Sequence, residues 1–204
     1  TVELPSGVRV RIPNGAEPES PGARERFGRL VARDGIDLAY VTGRHRALVE
    51  QAIGDYGLPS PNYVIGDVGT SIYRVRDGDW FQIQDWQALI SADWGGADRV
   101  DVAALFVGLP DLRLQEASRQ NRFKLSYYTS RDLDPGLLIS RMRERLAPTG
   151  IRASLVWSID EAAGLGLLDV LPEGATKYHA VVFLMGLTGH DEATTLFAGD
   201  SGND

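Results

Sequence analysis

The stretch IDLAYVTGR, residues 36–44, decides the fold class of this chain. Its first six residues are mostly apolar and predict a short strand, and the tripeptide Thr42-Gly43-Arg44 after them predicts a loop. Apolar residues then recur at helical spacing from Ala47 to Tyr56, which predicts a helix. A strand, a loop and a helix in this order are typical of an α/β fold with a parallel sheet.

The same alternation extends on both sides of this stretch. Ser20 and Pro21 predict the start of a helix that ends near Arg33. Later segments predict a strand over residues 62–65 and a hairpin over residues 70–84, turned at Asp77-Gly78. A strand, a helix and a strand are then predicted over residues 167–171, 176–185 and 195–198. The repeated order therefore predicts an α/β core with parallel strands.

Residues 85–165 interrupt this alternation. Their patterns predict two helices, a strand, a helix and a strand: residues 85–91, 98–107, 122–128, 135–146 and 151–157. This order suits an α+β insertion. We therefore expect a discontinuous core formed by residues 1–70 and 166–204, with an α+β cap formed by residues 71–165.

The composition excludes several classes of protein and site. The 204 residues hold no cysteine, which excludes a disulfide scaffold, a thiol nucleophile and a thiolate zinc site. Hydrophobic residues make up 43% and the net charge is -7, so we expect a packed globular chain that binds no nucleic acid. No apolar run reaches the ~20 residues that span a bilayer and no secretory signal is visible, so we expect no membrane association and a cytoplasmic location.

Three loops carry polar groups that suit phosphate and metal chemistry. Thr42-Gly43 offers a hydroxyl and a backbone N–H beside a helix N-terminus, which is a ready phosphate site. Lys177 starts another predicted helix and is one of only two lysines among 21 basic residues, which indicates a role specific to lysine. Asp200 and Asp204 provide hard oxygen ligands for Mg²⁺. Each feature alone could be a helix cap, a solvated lysine or a turn, but their joint order predicts a site for phosphate and magnesium.

This order of loops resembles the haloacid dehalogenase (HAD) superfamily of phosphotransferases, and within it the sucrose-phosphatase-like sugar phosphatases that carry an α/β cap. The stretches YVTGR, PEGATK and GDSGND, residues 40–44, 172–177 and 199–204, look like the second, third and fourth motifs of that family. The resemblance implies a HAD-like Rossmannoid parallel sheet core with an inserted α+β cap domain.

The resemblance also implies a role for individual residues of these motifs. Thr42 would hold the transferring phosphoryl group, and Lys177 would neutralise its charge. Asp200 would bind the Mg²⁺ cofactor. Asn203 and Asp204 would support Lys177 and the metal shell.

Two further stretches resemble the sugar phosphatases. IGDVGT, residues 65–70, is similar to the family's Asp-x-Gly-Thr loop, which lies close to the bound sugar phosphate. FKLSYY, residues 123–128, looks like the cap strand that faces the sugar, and its lysine and serine alternate so that both point to one side. The alternative for this strand is an exposed face of a half-buried sheet. The resemblance assigns substrate binding to Gly43, Arg44, Asp67, Gly69, Thr70, Lys124 and Ser126.

One motif of the family has no counterpart in this sequence. The family places two aspartates, one residue apart, at the end of its first core strand, where one attacks phosphorus and the other acts as acid and base. Ser6 and Val8 fall at these positions, and the alternating pattern of residues 1–12 predicts a hairpin instead of a buried strand. The family pattern also continues beyond the position of Asp204. We therefore identify no nucleophile.

These observations support two functional hypotheses. The first is a Mg²⁺-dependent phosphatase that acts on a sugar phosphate, with sucrose 6-phosphate or a similar disaccharide phosphate as the expected substrate. The second is a non-catalytic sugar-phosphate-binding or regulatory domain, for which a sugar-phosphate synthase is a candidate partner. An acidic α/β domain without a ligand is a third interpretation, and the order of three motifs argues against it.

Overall fold

The computed structural model of the chain describes residues 19–160 and 163–199, together with the backbone of two short strands nearer the start. These strands, β1 (Val2–Glu3) and β2 (Arg9–Val10), pair antiparallel. This pairing confirms the antiparallel arrangement that the alternating pattern of residues 1–12 predicts.

Six α-helices occur in the described part of the chain. Their bounds are α1 (Ala23–Val31), α2 (Arg46–Tyr56), α3 (Gln84–Ser91), α4 (Arg99–Leu105), α5 (Pro135–Leu146) and α6 (Lys177–Thr188). All six are predicted by the hydrophobic pattern. The predicted start of α1 is too early. The Ser20 carbonyl accepts from the Ala23 N–H (3.0 Å) in a turn before the helix, and Gly22 is the N-cap residue.

The first sheet begins with the strand of the IDLAYVTGR stretch. Its strands are β3 (Ala39–Val41), β4 (Tyr63–Gly66), β5 (Ser71–Arg76) and β6 (Asp79–Gln82), in that order. β3 and β4 pair parallel with α2 between them, which confirms the predicted strand, loop and helix unit. β5 and β6 form the predicted hairpin, and β5 pairs antiparallel with β4. The hairpin therefore lies in the same sheet as β3.

The second sheet is antiparallel throughout its described strands. They are β7 (Arg113–Leu114), β8 (Leu125–Thr129), β9 (Ala153–Asp160) and β10 (Leu165–Pro172), in the order β7-β8-β10-β9. The prediction that residues 167–171 form a parallel core strand is wrong, because this segment belongs to β10 and pairs antiparallel with β8 and β9. Residues 161–164 alone separate β9 from β10, and so short a connection allows a hairpin but no crossover to a parallel neighbour.

One hydrophobic core connects the two sheets. Ile65 of the first sheet and Leu168 of the second are both fully buried and belong to the same cluster. Trp94 and Phe123 lie in this cluster as well, with their ring centroids 5.9 Å apart. Because the core is continuous, the pairing of strands does not by itself divide the chain, and the boundaries of the cap at residues 71–165 stay a prediction.

The last described residues differ from the sequence prediction. Residues 195–198 form neither helix nor strand, so the strand predicted there is wrong. Leu196 is 87% exposed, and the apolar run that suggested a strand therefore does not enter the core. So short a run specifies a strand only weakly. Among the residues that the structure describes, no helix is long and apolar enough to cross a membrane.

Candidate functional site

Thr42 lies at the carboxyl end of β3, where the chain leaves the first sheet. Its N–H donates to the Ile65 carbonyl (2.9 Å), and its hydroxyl accepts from the Arg44 N–H (3.2 Å). The loop that follows β4 is bonded to this one, because the Val68 N–H donates to the Thr42 carbonyl (3.3 Å) and the Asp67 N–H donates to the Arg44 carbonyl (2.9 Å). Two loops at the carboxyl ends of parallel strands therefore lie side by side, which is where open α/β sheets bind ligands.

The second of these loops, Asp67-Val68-Gly69-Thr70, has a strained backbone, and we call it the junction loop. Its first three residues have φ values of 52°, 62° and 102°. A left-handed backbone is costly for a β-branched residue such as Val68. The Thr70 hydroxyl and N–H both donate to the Asp67 carbonyl, at 3.0 and 3.2 Å. Such strain persists only where surrounding contacts fix the backbone, and it clusters at functional sites.

The junction loop lies directly on the start of α6. A Cβ atom added at Gly69 would come within 2.5 Å of the Thr176 carbonyl carbon and 2.7 Å of the Lys177 nitrogen, so only glycine allows this approach. Trp86 fixes the same point, because its Nε1 donates to the Gly69 carbonyl (3.0 Å). Thr176 caps α6, since its hydroxyl accepts from the His179 N–H (3.2 Å). Lys177, the first residue of α6, is thereby placed beside the junction loop.

The residue directly before β8 brings a buried cation to the junction loop. Lys124 Nζ lies 3.9 Å from an Asp67 carboxylate oxygen, and the two side chains are 6% and 7% exposed. The amide nitrogen of Asn121 donates to the Thr70 hydroxyl (2.8 Å). Burial raises the pKa of Asp67 above its ordinary value of 3.8, whereas Lys124 and hydrogen bonds from Asn121 and Ser71 act against that rise. Opposite charges are therefore held close together where little water reaches them.

Ser126, two residues beyond Lys124, is fully buried. Its hydroxyl donates to the Asp169 carboxylate, and its backbone N–H and carbonyl both bond to the Gln120 side chain, at 2.8 and 2.9 Å. The alternative of an exposed sheet face is wrong, because Lys124 and Ser126 are both buried. A sugar hydroxyl could therefore only donate to the Ser126 oxygen unless the bond to Asp169 is replaced.

The structure gathers most of the predicted site residues around the junction loop. Gly43 and Arg44 are exposed there, and a Cβ atom at Gly43 would touch the Val68 side chain at 3.7 Å. The full group comprises Thr42, Gly43, Arg44, Asp67, Gly69, Thr70, Lys124 and Lys177. The predicted residues Asp200, Asn203 and Asp204 lie outside the described residues. Within residues 19–160 and 163–199, no group of three or more metal-ligating side chains occurs.

Two side chains that fix the junction loop carry no usable signal in the sequence. Trp86 appears there only as part of the apolar period of α3, and Asn121 only as a polar residue before a strand. Their partners lie 17 and 51 residues away along the chain. A contact over such a distance depends on tertiary packing, which spacing rules do not describe.

The chain matches one family of known proteins over most of its length. A model of the sucrose-6F-phosphate phosphohydrolase family matches residues 17–204. A protein of Nitrosococcus oceani described as a HAD-like hydrolase is 52% identical, over 96% of this chain and 53% of its own length. Sucrose-phosphatase 1 of Nicotiana tabacum is 31% identical, over 84% of this chain and 39% of its own length.

A solved structure agrees with these matches. The X-ray structure of the sucrose-phosphatase from Synechocystis, in complex with sucrose and phosphate, has a TM-score of 0.73 and 29% identity, over 88% of this chain and 69% of that chain. The chain spans about half the length of the Nitrosococcus relative and less of the tobacco enzyme. The predicted α/β fold is confirmed as HAD-like. The chain belongs to the sucrose-6F-phosphate phosphohydrolase family of the HAD superfamily.

Proposed function

We propose that this chain acts as a Mg²⁺-dependent phosphatase on a sugar phosphate, with sucrose 6-phosphate or a similar disaccharide phosphate as its substrate; the assignment follows the lineage, and the nucleophile is not identified in this sequence. The proposal rests on the meeting of three separate segments at the junction loop. The loop of Thr42 is hydrogen-bonded to the junction loop, and Gly69 packs on the start of α6, which carries Lys177. A hydroxyl, backbone N–H groups and a lysine together suit a phosphate group.

The hydrogen bonds define what each side chain offers to a phosphate. The Thr42 hydroxyl accepts from the Arg44 N–H, so its own hydrogen can donate to a phosphate oxygen. Lys177 supplies a positive charge beside the same loop, which would stabilise charge on the transferring oxygens. Lys124, buried against Asp67, would donate to sugar hydroxyls from the second sheet.

Asp200 and Asp204 are the residues that we propose as magnesium ligands. Carboxylate oxygens are the ligands that Mg²⁺ prefers, and the sequence places both in a glycine-bearing loop together with Asn203. When bound, Mg²⁺ would neutralise charge on the phosphoryl oxygens. Because the family model extends to residue 204, it includes this loop in its match.

The substrate proposal comes from the relatives. The tobacco protein is named a sucrose-phosphatase, and the Synechocystis enzyme is in complex with sucrose and phosphate. Lys124 is buried against Asp67 of the junction loop, and we propose that the sugar would extend toward this pair. A sugar-phosphate synthase as partner and a cytoplasmic location stay predictions.

The proposal is tested by measuring phosphate release from sucrose 6-phosphate with and without Mg²⁺. We expect metal-dependent release by the wild-type chain, and none by Asp200→Asn. Lys177→Gln should weaken binding of inorganic phosphate at least about tenfold, measured by calorimetry, because a charge-assisted hydrogen bond is lost. Arg29→Gln is the matched control, since Arg29 is a cation on α1 that is 66% exposed and pairs with Glu25 of the same helix.

The same measurements distinguish the two functional hypotheses. Binding of sucrose 6-phosphate without phosphate release would overturn the phosphatase proposal and favour a non-catalytic sugar-phosphate-binding domain. Neither binding nor release would overturn both. Equal phosphate affinity in Lys177→Gln and in the wild type would remove Lys177 from the site.

A further inference from the structure

Asp93 is a buried carboxylate that touches the loop before Lys177. It lies in the single helical turn Ala92–Trp94 that follows α3 and is 9% exposed. One of its oxygens accepts from the Gly174 N–H (2.7 Å), and the other pairs with the Arg152 guanidinium. These partners lie 81 and 59 residues away along the chain. The carboxylate therefore joins three segments that are distant in sequence.

Backbone hydrogen bonds continue the same connection. The Arg152 N–H donates to the Asp93 carbonyl (2.8 Å), and the Glu173 N–H donates to the Arg152 carbonyl (3.2 Å). Glycine at position 174 leaves room for the carboxylate, because a Cβ atom there would lie 3.2 Å from the Asp93 oxygen. The loop between β10 and α6 is therefore hydrogen-bonded at Glu173 and Gly174 to Arg152 and Asp93.

Two independent contacts hold the start of α6 in place. Gly69 of the junction loop packs on Thr176 and Lys177 from one side. Asp93 holds Gly174, three residues before Lys177, through its carboxylate. A displaced loop would move the lysine relative to the junction loop, and small displacements of a charged group in a binding site are costly.

We propose that Asp93 is a positioning residue that fixes Lys177 in the phosphate site by holding the Gly174 N–H. This inference rests on the proposed function, because Lys177 must be the group that meets phosphate. Asp93 itself acts through the loop and need not touch the substrate. Its carboxylate suits this role, since a charged acceptor binds a backbone N–H more strongly than a neutral one does.

The test compares Asp93→Ala with Asp93→Asn and Asp134→Ala in the full chain. Asp134 caps α5, where its carboxylate accepts from the Gly136 N–H (2.9 Å), so its removal loses the same kind of bond at a helix that does not carry Lys177. We expect Asp93→Ala to weaken the binding of inorganic phosphate about tenfold or more, because the loop is released. Asp93→Asn keeps an oxygen for Gly174 and should stay within about threefold of the wild type, and Asp134→Ala within about twofold.

Hydrogen exchange at the Gly174 amide gives a second readout that does not depend on activity. We expect exchange to be at least about tenfold faster in Asp93→Ala than in the wild type, and unchanged in Asp134→Ala. Wild-type phosphate affinity in Asp93→Ala, together with lost affinity in Lys177→Gln, would overturn the positioning role. Unchanged affinity in Lys177→Gln as well would instead remove Lys177 from the phosphate site, which is the part of the proposed function on which this inference rests. Unchanged exchange at Gly174 would show that Asp93 does not fix the loop.

Discussion

Asp67 and Asp93 are two buried carboxylates near the start of α6, and they are held in opposite ways. Asp93 bonds directly to the Gly174 N–H and to Arg152, whose side chain is 61% exposed. Asp67 faces Lys124 at 3.9 Å, and the lysine side chain is only 6% exposed. The Asp93–Arg152 pair is therefore in close contact and partly exposed to water, whereas the Asp67–Lys124 pair is more widely spaced and almost fully buried.

The difference indicates different purposes for the two carboxylates. Water screens the charge of Arg152, so a pair of this kind costs little to keep and suits a structural connection. Burying both members of the Asp67–Lys124 pair costs desolvation on each side, which a loose contact repays poorly. Charged groups that are expensive to bury are typical of functional sites, where they meet a ligand.

The largest expected difference in stability lies between two glycines, Gly69 near Asp67 and Gly174 beside Asp93. Gly69 has a φ of 102°, and an added Cβ would meet the α6 backbone at 2.5 Å, so Gly69→Ala should lose about 3 kcal/mol or more in free energy of unfolding. At Gly174 the added Cβ would meet only the Asp93 side chain, at 3.2 Å. Gly174→Ala should therefore lose about 1 kcal/mol. Urea unfolding measures both values.

A third glycine serves as the control for chain entropy. At Gly54 in α2, an added Cβ would meet nothing within 4 Å, so Gly54→Ala should stabilise the protein by about 0.5–1 kcal/mol. Equal losses in Gly69→Ala and Gly174→Ala would contradict the close approach of the junction loop to α6.

The two cations give the next effect in size. Lys124→Met leaves the Asp67 carboxylate buried without its cation and should cost about 2 kcal/mol at neutral pH. Arg152→Met removes a largely exposed charge and should cost about 1 kcal/mol or less. Both are measured by urea unfolding. Burial of the cation, and not the distance between the charges, sets this order of the two losses, because Arg152 makes the closer contact but is the more exposed cation.

A double variant separates charge from packing in the Lys124 result. If the loss comes from the stranded carboxylate, Asp67→Asn in the Lys124→Met background should recover about 1 kcal/mol. Additive losses would instead assign the effect to packing of the lysine stem. A larger loss in Arg152→Met than in Lys124→Met would reverse the assignment of the two pairs.

The sequence predicts the parts of the site better than their connections. Thr42, Asp67 and Lys177 each follow a local pattern, a strand end or a helix start, and the structure places all three around one loop. Asp93 stands in a short turn with no pattern around it, and its partners become neighbours only through the pairing of β9 and β10. Contacts between distant segments depend on that pairing.

The wrong placement of β10 has the same origin. The run from Leu165 to Pro172 is almost continuously apolar, which fits a buried strand of a parallel sheet as well as a central strand of an antiparallel one. Burial on both faces follows from the pattern, but the identity of the neighbours does not. The short connection from β9 was the available signal, since it permits only an antiparallel partner.

The smallest expected effect is the pH dependence that Asp67 confers. Burial raises the pKa of its carboxyl above 3.8, so the folded protein binds the proton more tightly than the unfolded chain does. The stability from this group is fully present below the unfolded value and is lost as pH rises through the raised pKa. Asp67→Asn cannot titrate, so relative to the wild type its free energy of unfolding should rise as the pH increases from about 4 to about 7.

Urea unfolding of both proteins at the two pH values measures this difference. Lys124→Met should enlarge the change, because Lys124 lowers the pKa of Asp67 and its loss lets burial act unopposed by that charge. A difference independent of pH would mean that Lys124 and the hydrogen bonds from Asn121 and Ser71 fully offset the cost of burying the carboxylate. In that case Asp67 would need no substrate group to complete its contacts.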